Sequence, residues 1–131
     1  MKIEETSFSE SPRARSYATI NEKGGKIYMY GGTSNGECLS DFWEFDLKKN
    51  VWKLFDISNS FHDVFPRSHH FSFLDFFNDF LYVFGGYTDF EKNLLDDCLV
   101  IDLRSFSVKQ KIVFPLAESS FIISSNKVRK K

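Results

Sequence analysis

Lys26-Ile27-Tyr28-Met29-Tyr30-Gly31-Gly32 is the stretch that decides the fold, because it occurs twice. Its echo is Phe80-Leu81-Tyr82-Val83-Phe84-Gly85-Gly86, 54 residues on. Each copy is an apolar, aromatic-rich run that stops at a glycine pair. β-branched and aromatic residues suit a pleated, half-buried strand, and glycines end it where the backbone needs positive φ or close approach. A fixed period of this length points to a repeat architecture.

Working outward, each copy carries the same order of parts. Pro12-Arg13 precedes the first copy and Pro66-Arg67 the second, again 54 residues apart. Ser16–Asn21 and His70–Asp75 read as first strands. Gly24-Gly25 makes a tight hairpin turn, and Phe76–Asp79 turns the chain in the second copy. Lys26–Tyr30 and Phe80–Phe84 are second strands. Polar loops follow at Thr33–Ser40 and Tyr87–Asp96. Asp41–Leu47 and Asp97–Leu103 are third strands, with Asp102-Leu103 answering Asp46-Leu47 at a spacing of 56. Val51–Phe55 and Ser107–Phe114 are fourth strands. No segment keeps a 3.6-residue apolar period over ten or more residues, so no helix is expected. The reading is all-β: two meanders of four short antiparallel strands.

The pattern divides the chain into a polar leader (1–11), a first unit (12–65), a second unit (66–114), a third start (115–124) and a basic tail (125–131). The third start, Pro115 to Ile123, supplies a lone extra strand.

Proline, arginine, an aliphatic-aromatic strand ending in Gly-Gly, an Asp-x-x-x-x-Asp-Leu strand and a following tryptophan resemble the kelch repeat. The first copy carries the pattern on Pro12, Arg13, Tyr28, Gly31, Gly32, Asp41, Trp43, Asp46, Leu47 and Trp52. The second carries it on Pro66, Arg67, His70, Tyr82, Gly85, Gly86, Asp97, Asp102 and Leu103, with Val108 in place of the tryptophan. Ser16 stands where His70 stands. The resemblance implies a partial β-propeller of two four-stranded kelch blades. It assigns structural repeat roles to Arg13, Gly31, Gly32, Trp43, Trp52, Arg67, His70, Gly85 and Gly86. It also implies that aromatics of both copies, Tyr28, Tyr30, Trp43, Phe45 and Trp52 among them, fill the space between blades.

Composition narrows the function classes. The chain has 131 residues, 18% aromatic, with sixteen phenylalanines that need burial. Lys and Arg number 17 against 18 Asp and Glu, so no electrostatic argument points to nucleic acid or an anionic membrane. No apolar run approaches the roughly 20 residues of a membrane-spanning helix. The start lacks the apolar core of a signal peptide. Two cysteines and the lack of any Asn-x-Ser/Thr acceptor fit a reducing compartment, so a cytoplasmic or nuclear location is expected.

No catalytic, cofactor or metal site is expected. His69 and His70 are adjacent and would point to opposite faces of a strand. Cys38 and Cys98 lack partners at metal-ligand spacing. The glycine pairs are not phosphate loops, since no Gly-Lys-Ser/Thr and no helix follow them. The basic tail, Lys127 with Arg129–Lys131, reads as solvated or as a weak contact to an acidic protein or nucleic-acid backbone.

Loops on a rigid scaffold carry recognition, and aromatics make good interface anchors. Phe61, Phe65, Tyr87 and Phe90 are therefore the candidate partner-binding residues. The expected function is a non-enzymatic protein-interaction module, completed by a protein partner or by self-association. The alternatives are a piece of a larger kelch protein, such as a kelch phosphatase, and a purely structural subunit. Two blades are fewer than a closed propeller needs, which leaves apolar blade faces to be covered.

Overall fold

The computed structural model describes residues 10–57, 64–89 and 93–113. Phe61, Phe90, His62, the third start and the basic tail lie outside the described residues. The described strands are β1 (Thr19–Lys23), β2 (Lys26–Tyr30), β3 (Thr33–Ser34), β4 (Glu37–Cys38), β5 (Phe42–Asp46) and β6 (Val51–Phe55). The second set is β7 (Phe71–Asp75), β8 (Phe80–Phe84), β9 (Tyr87–Thr88), β10 (Asn93–Leu94), β11 (Asp97–Asp102) and β12 (Ser107–Val113). No described residue is helical.

Two four-stranded antiparallel sheets result, ordered β1-β2-β5-β6 and β7-β8-β11-β12. Each is a meander in which sequential long strands pair. The expected polar loops hold more order than their sequences announce: β3 pairs with β4, and β9 with β10. Two-residue strands are too short to show any period. The sheets therefore form a two-bladed partial β-propeller whose first strands, β1 and β7, approach each other.

One turn device recurs three times. Asp46, Asp75 and Asp102 each end a strand and aim Oδ1 back at the turn. Asp46 accepts from the Lys48 and Lys49 amides, at 2.9 and 3.1 Å. Asp75 accepts from the Phe77 and Asn78 amides, at 3.0 and 3.3 Å. Asp102 accepts from the Arg104 amide at 2.8 Å. Such self-capped turns are what aspartate favours. Four residues after each aspartate the chain takes positive φ, at Asn50, Asp79 and Phe106. Hydrogen bonds to the ionised form hold all three carboxyls below the usual carboxylate range; Asn78 contributes most at Asp75, and backbone amides at the other two.

The core lies between the blades. Register places Tyr28, Tyr30 and Phe42 on one face of the first sheet. Leu81, Val83, Leu99 and Ile101 lie on the facing side of the second. These residues are buried and form one cluster with Leu74, Leu103 and Val108. The Phe55 and Phe106 rings close its outer end, stacked 3.7 Å apart. Trp43, Phe45 and Trp52 alternate onto the opposite face of the first sheet. They pack on each other, Phe45 and Trp52 at 4.8 Å, and so do not fill the space between these two blades. The period-2 geometry of a strand leaves them no other side.

Candidate interaction surface

Each blade is pinned by an arginine fork. Arg67 donates to both carboxylate oxygens of Asp97, from Nη1 at 2.7 Å and Nη2 at 2.9 Å. Its Nη1 also donates to the Gly85 carbonyl at 3.0 Å, and Nε to the Phe65 carbonyl at 3.3 Å. Arg15 makes the same set: Asp41 at 2.6 and 2.9 Å, the Gly31 carbonyl at 3.1 Å and the Arg13 carbonyl at 3.1 Å. Planar bidentate pairing of this kind suits arginine.

The fork corrects the sequence register. Arg15, not Arg13, is the counterpart of Arg67. Arg13 is exposed, and among the described residues its side chain pairs with Glu37, at 3.7 Å. The reason is the first hairpin turn. It takes two residues in blade 1, Gly24-Gly25, and four in blade 2, Phe76 to Asp79. The spacing is thus 52 before the turn and 54 after it. By the same shift Ala18, not Ser16, is the counterpart of His70. Tyr17 and His69 correspond too, both at positive φ, and their rings stack at 3.8 Å.

The glycine pairs sit where the forks close. A Cβ on Gly31 would lie 2.7 Å from the Arg67 carbonyl oxygen, and one on Gly86 would lie 2.8 Å from that of Ser68. Both residues also have positive φ, so shape and conformation exclude a side chain together. At Asp41, burial would raise the carboxyl, but the Arg15 and Trp43 hydrogen bonds outweigh it and hold the group low.

His70 is buried at the seam between blades. Its Nε2 lies 3.0 Å from the Tyr30 carbonyl and 3.0 Å from Thr19 Oγ1. A carbonyl only accepts, so Nε2 carries the proton and the buried Nδ1 holds a lone pair. Burial, helped by the Arg67 charge, lowers its pKa to about 4. The ring is neutral at pH 7. Cys38 and Cys98 are free thiols. Among the described residues, no group of three His, Cys, Asp or Glu side chains could hold a metal ion.

Of the four candidate loop aromatics, Phe65 and Tyr87 are described, and both are half-buried. Phe65 lies under Lys111, whose Nζ is 4.7 Å from the ring centroid. Tyr87 opens β9 and exchanges backbone hydrogen bonds with Ser68 at 2.8 and 2.9 Å. The structure does not bring these two rings together with each other. It does form a groove of about 500 Å³ beside the β4–β5 loop, lined by Arg13, Leu39, Asp41, Phe55, Ile57 and Val64.

Two arginine forks with matched glycine pairs, on two meanders in one register, define the repeat. The family model described as the KLHDC2/KLHL20/DRC7 Kelch-repeats domain matches residues 1–107. The chain belongs to the kelch-repeat family. No curated protein matches it closely enough to count as a relative.

The kelch frame explains which aromatics remain on the outside. In the second kelch blade, Phe71, Phe73, Tyr82 and Phe84 share the face turned away from blade 1. Phe71 is 62% exposed and Phe73 53%. In the first blade, Ile20 and Leu54 are exposed beside the half-buried Ile27, Phe45 and Trp52. Sequence reasoning expected open blade faces but named candidate residues only in the loops. The signal was the run Phe71-Ser72-Phe73, where alternation sets the phenylalanines on one side and the serine on the other. Exposed apolar side chains gathered on one face are a candidate interaction surface.

Proposed function

We propose that this kelch chain is a protein-interaction scaffold that catalyses no reaction of its own. One observation carries the reading: the buried charged and polar groups hold the blades, while large apolar side chains are left facing water. Arg15, Asp41, Arg67, Asp97 and His70 are all engaged within or between the two sheets. Phe71, Phe73 and Phe84 are left exposed. Desolvating such aromatics against a partner is the usual source of binding energy at protein interfaces.

The loops at the glycine-pair end offer a second contact zone, with Phe65 and Tyr87 as its described anchors. The free thiols of Cys38 and Cys98 support a reducing compartment, the cytoplasm or nucleus. The test is affinity capture with mass spectrometry, run in parallel on the unaltered chain and on Phe65→Ala and Tyr87→Ala chains with unchanged melting. Selective loss of captured proteins from the variants supports loop recognition. Identical capture by all three removes the loops from the reading. Capture of nothing by any form removes the scaffold.

A further inference from the structure

The two blades meet through unlike faces. Blade 1 contributes Thr19, Asn21, Tyr28, Tyr30 and Phe42. Blade 2 answers with the opposite face of the repeat, on which Ser72, Leu81, Val83 and Leu99 lie. The contact is therefore head to tail. Once the turn-length shift is taken into account, the head face of blade 2 is the one carrying Phe71 (counterpart of Thr19), Phe73 (of Asn21), Tyr82 and Phe84. The tail face of blade 1 carries Ala18 (counterpart of His70), Ile20 (of Ser72), Ile27 and Trp52. Among the described residues, one head and one tail thus have no blade against them.

The pairing within the chain says what fits there. At the seam, Thr19 Oγ1 meets His70 Nε2 at 3.0 Å, and Ser72 Oγ donates to Asn21 Oδ1 at 2.5 Å. Both contacts are polar on both sides. On the open faces the same two pairs become Phe71 with Ala18 and Phe73 with Ile20, apolar on both sides. A face meant for water would have moved towards polar residues. A face meant for an unrelated partner has no reason to change in step with the opposite end of its own chain. At these two pairs the polarity matches as buried contacts require, since a polar group opposite an apolar one loses its hydrogen bond; the third seam contact, Lys23 with Asp79, has Asp75 and Gly25 as its counterparts and is not repeated. Ile20 is 63% exposed, so both members of the second pair are available.

We propose that a second copy of this chain docks head to tail, with Phe71 and Phe73 of one copy against Ala18 and Ile20 of the next. This rests on the scaffold reading and names its first partner. A heterologous contact closes into a ring when the rotation per copy allows it. Propellers hold about four to eight blades, so a ring closed by the two described blades of each copy takes roughly two to four copies.

The experiment is sedimentation velocity with light scattering on the purified full chain over a wide concentration range. The expected result is a discrete oligomer above the 15.3 kDa monomer. Phe73→Asp and Ile20→Asp, both at exposed positions, each shift the mass to the monomer while keeping a cooperative unfolding transition. Mixing the two variants restores one intact head and one intact tail, and gives a species of twice the monomer mass. Phe73→Asn combined with Ile20→Ser recreates the Asn21–Ser72 pair and recovers association that either change alone weakens. A monomeric unaltered chain overturns the proposal and leaves a scaffold for other proteins untouched. Loss of association with Phe73→Asp but not Ile20→Asp also overturns it, since that pattern belongs to a symmetric contact between two aromatic faces.

Discussion

Arg15 and Arg67 make the same four hydrogen bonds in two different settings. The Arg67 and Asp97 side chains are 0% and 3% exposed, whereas Arg15 and Asp41 are 4% and 28% exposed. The difference comes from the neighbouring blade. The Arg67 amide donates to the Leu39 carbonyl at 2.9 Å, and the Gly32 amide donates to the Arg67 carbonyl at 2.9 Å. Blade 1 thus seals the fork of blade 2. No described residue does the same for the fork of blade 1. In this chain the second anchor is built by its own repeat and closed off by the one before it.

The sharpest way to break this comparison is to remove the arginines in turn. Arg67→Ala strands Asp97 in a dry site and is expected to cost about 3–5 kcal/mol, the range for breaking a buried ion pair. Arg15→Ala costs clearly less, because water reaches Asp41. Urea unfolding of both variants checks the order, and equal losses would remove the sealing argument.

Acid probes the same seam through His70. Its folded-state pKa, about 4, lies below the ordinary 6.5. The unfolded chain therefore binds the extra proton first. Stability is full above about pH 6.5 and falls as the pH drops towards 4, by about 3 kcal/mol over that window. His70→Ala, which installs the Ala18 counterpart, is expected to flatten the profile between those values. A His70→Ala chain with the same slope would place the acid sensitivity elsewhere.

The glycines refine the contrast. Gly86→Ala meets a carbonyl at 2.8 Å in addition to its positive φ, whereas Gly24→Ala meets nothing within 4 Å. We expect a loss at Gly86 of about 1–3 kcal/mol, in the range of local backbone strain, and a smaller one at Gly24. Thermal unfolding separates them. The smallest effect belongs to Arg13→Ala. Its exposed pair with Glu37 contributes less than about 1 kcal/mol, and a large loss would reinstate Arg13 as the repeat arginine.

Much of this frame was readable without coordinates. Lys26–Tyr30, Val51–Phe55 and Phe80–Phe84 are strands with the bounds their composition suggests, because their apolar runs end at turn residues that allow no continuation. The arginine register was not readable by spacing alone. Pro12-Arg13 and Pro66-Arg67 share the 54-residue spacing of the glycine pairs by coincidence, and the longer turn at Phe76–Asp79 hides the true spacing. Turn chemistry was the missing clue: Asp75 followed four residues later by Asp79 is the device also seen at Asp46 to Asn50. The open faces were harder still. Trp43 and Tyr30 are both aromatic and both low in exposure, and only register shows that they lie on opposite sides of one sheet.

The sequence-local meanders have a consequence for synthesis. Every long strand of blade 1 pairs within Thr19–Phe55, so that sheet can close while later residues are still being added. Its Tyr30 and Phe42 gain their cover only when Leu81 to Ile101 have followed. Between those two moments an aromatic sheet with unpaired edges stands open in a crowded solution. That interval, set by the rate of chain elongation, is when this protein is most exposed to misassembly.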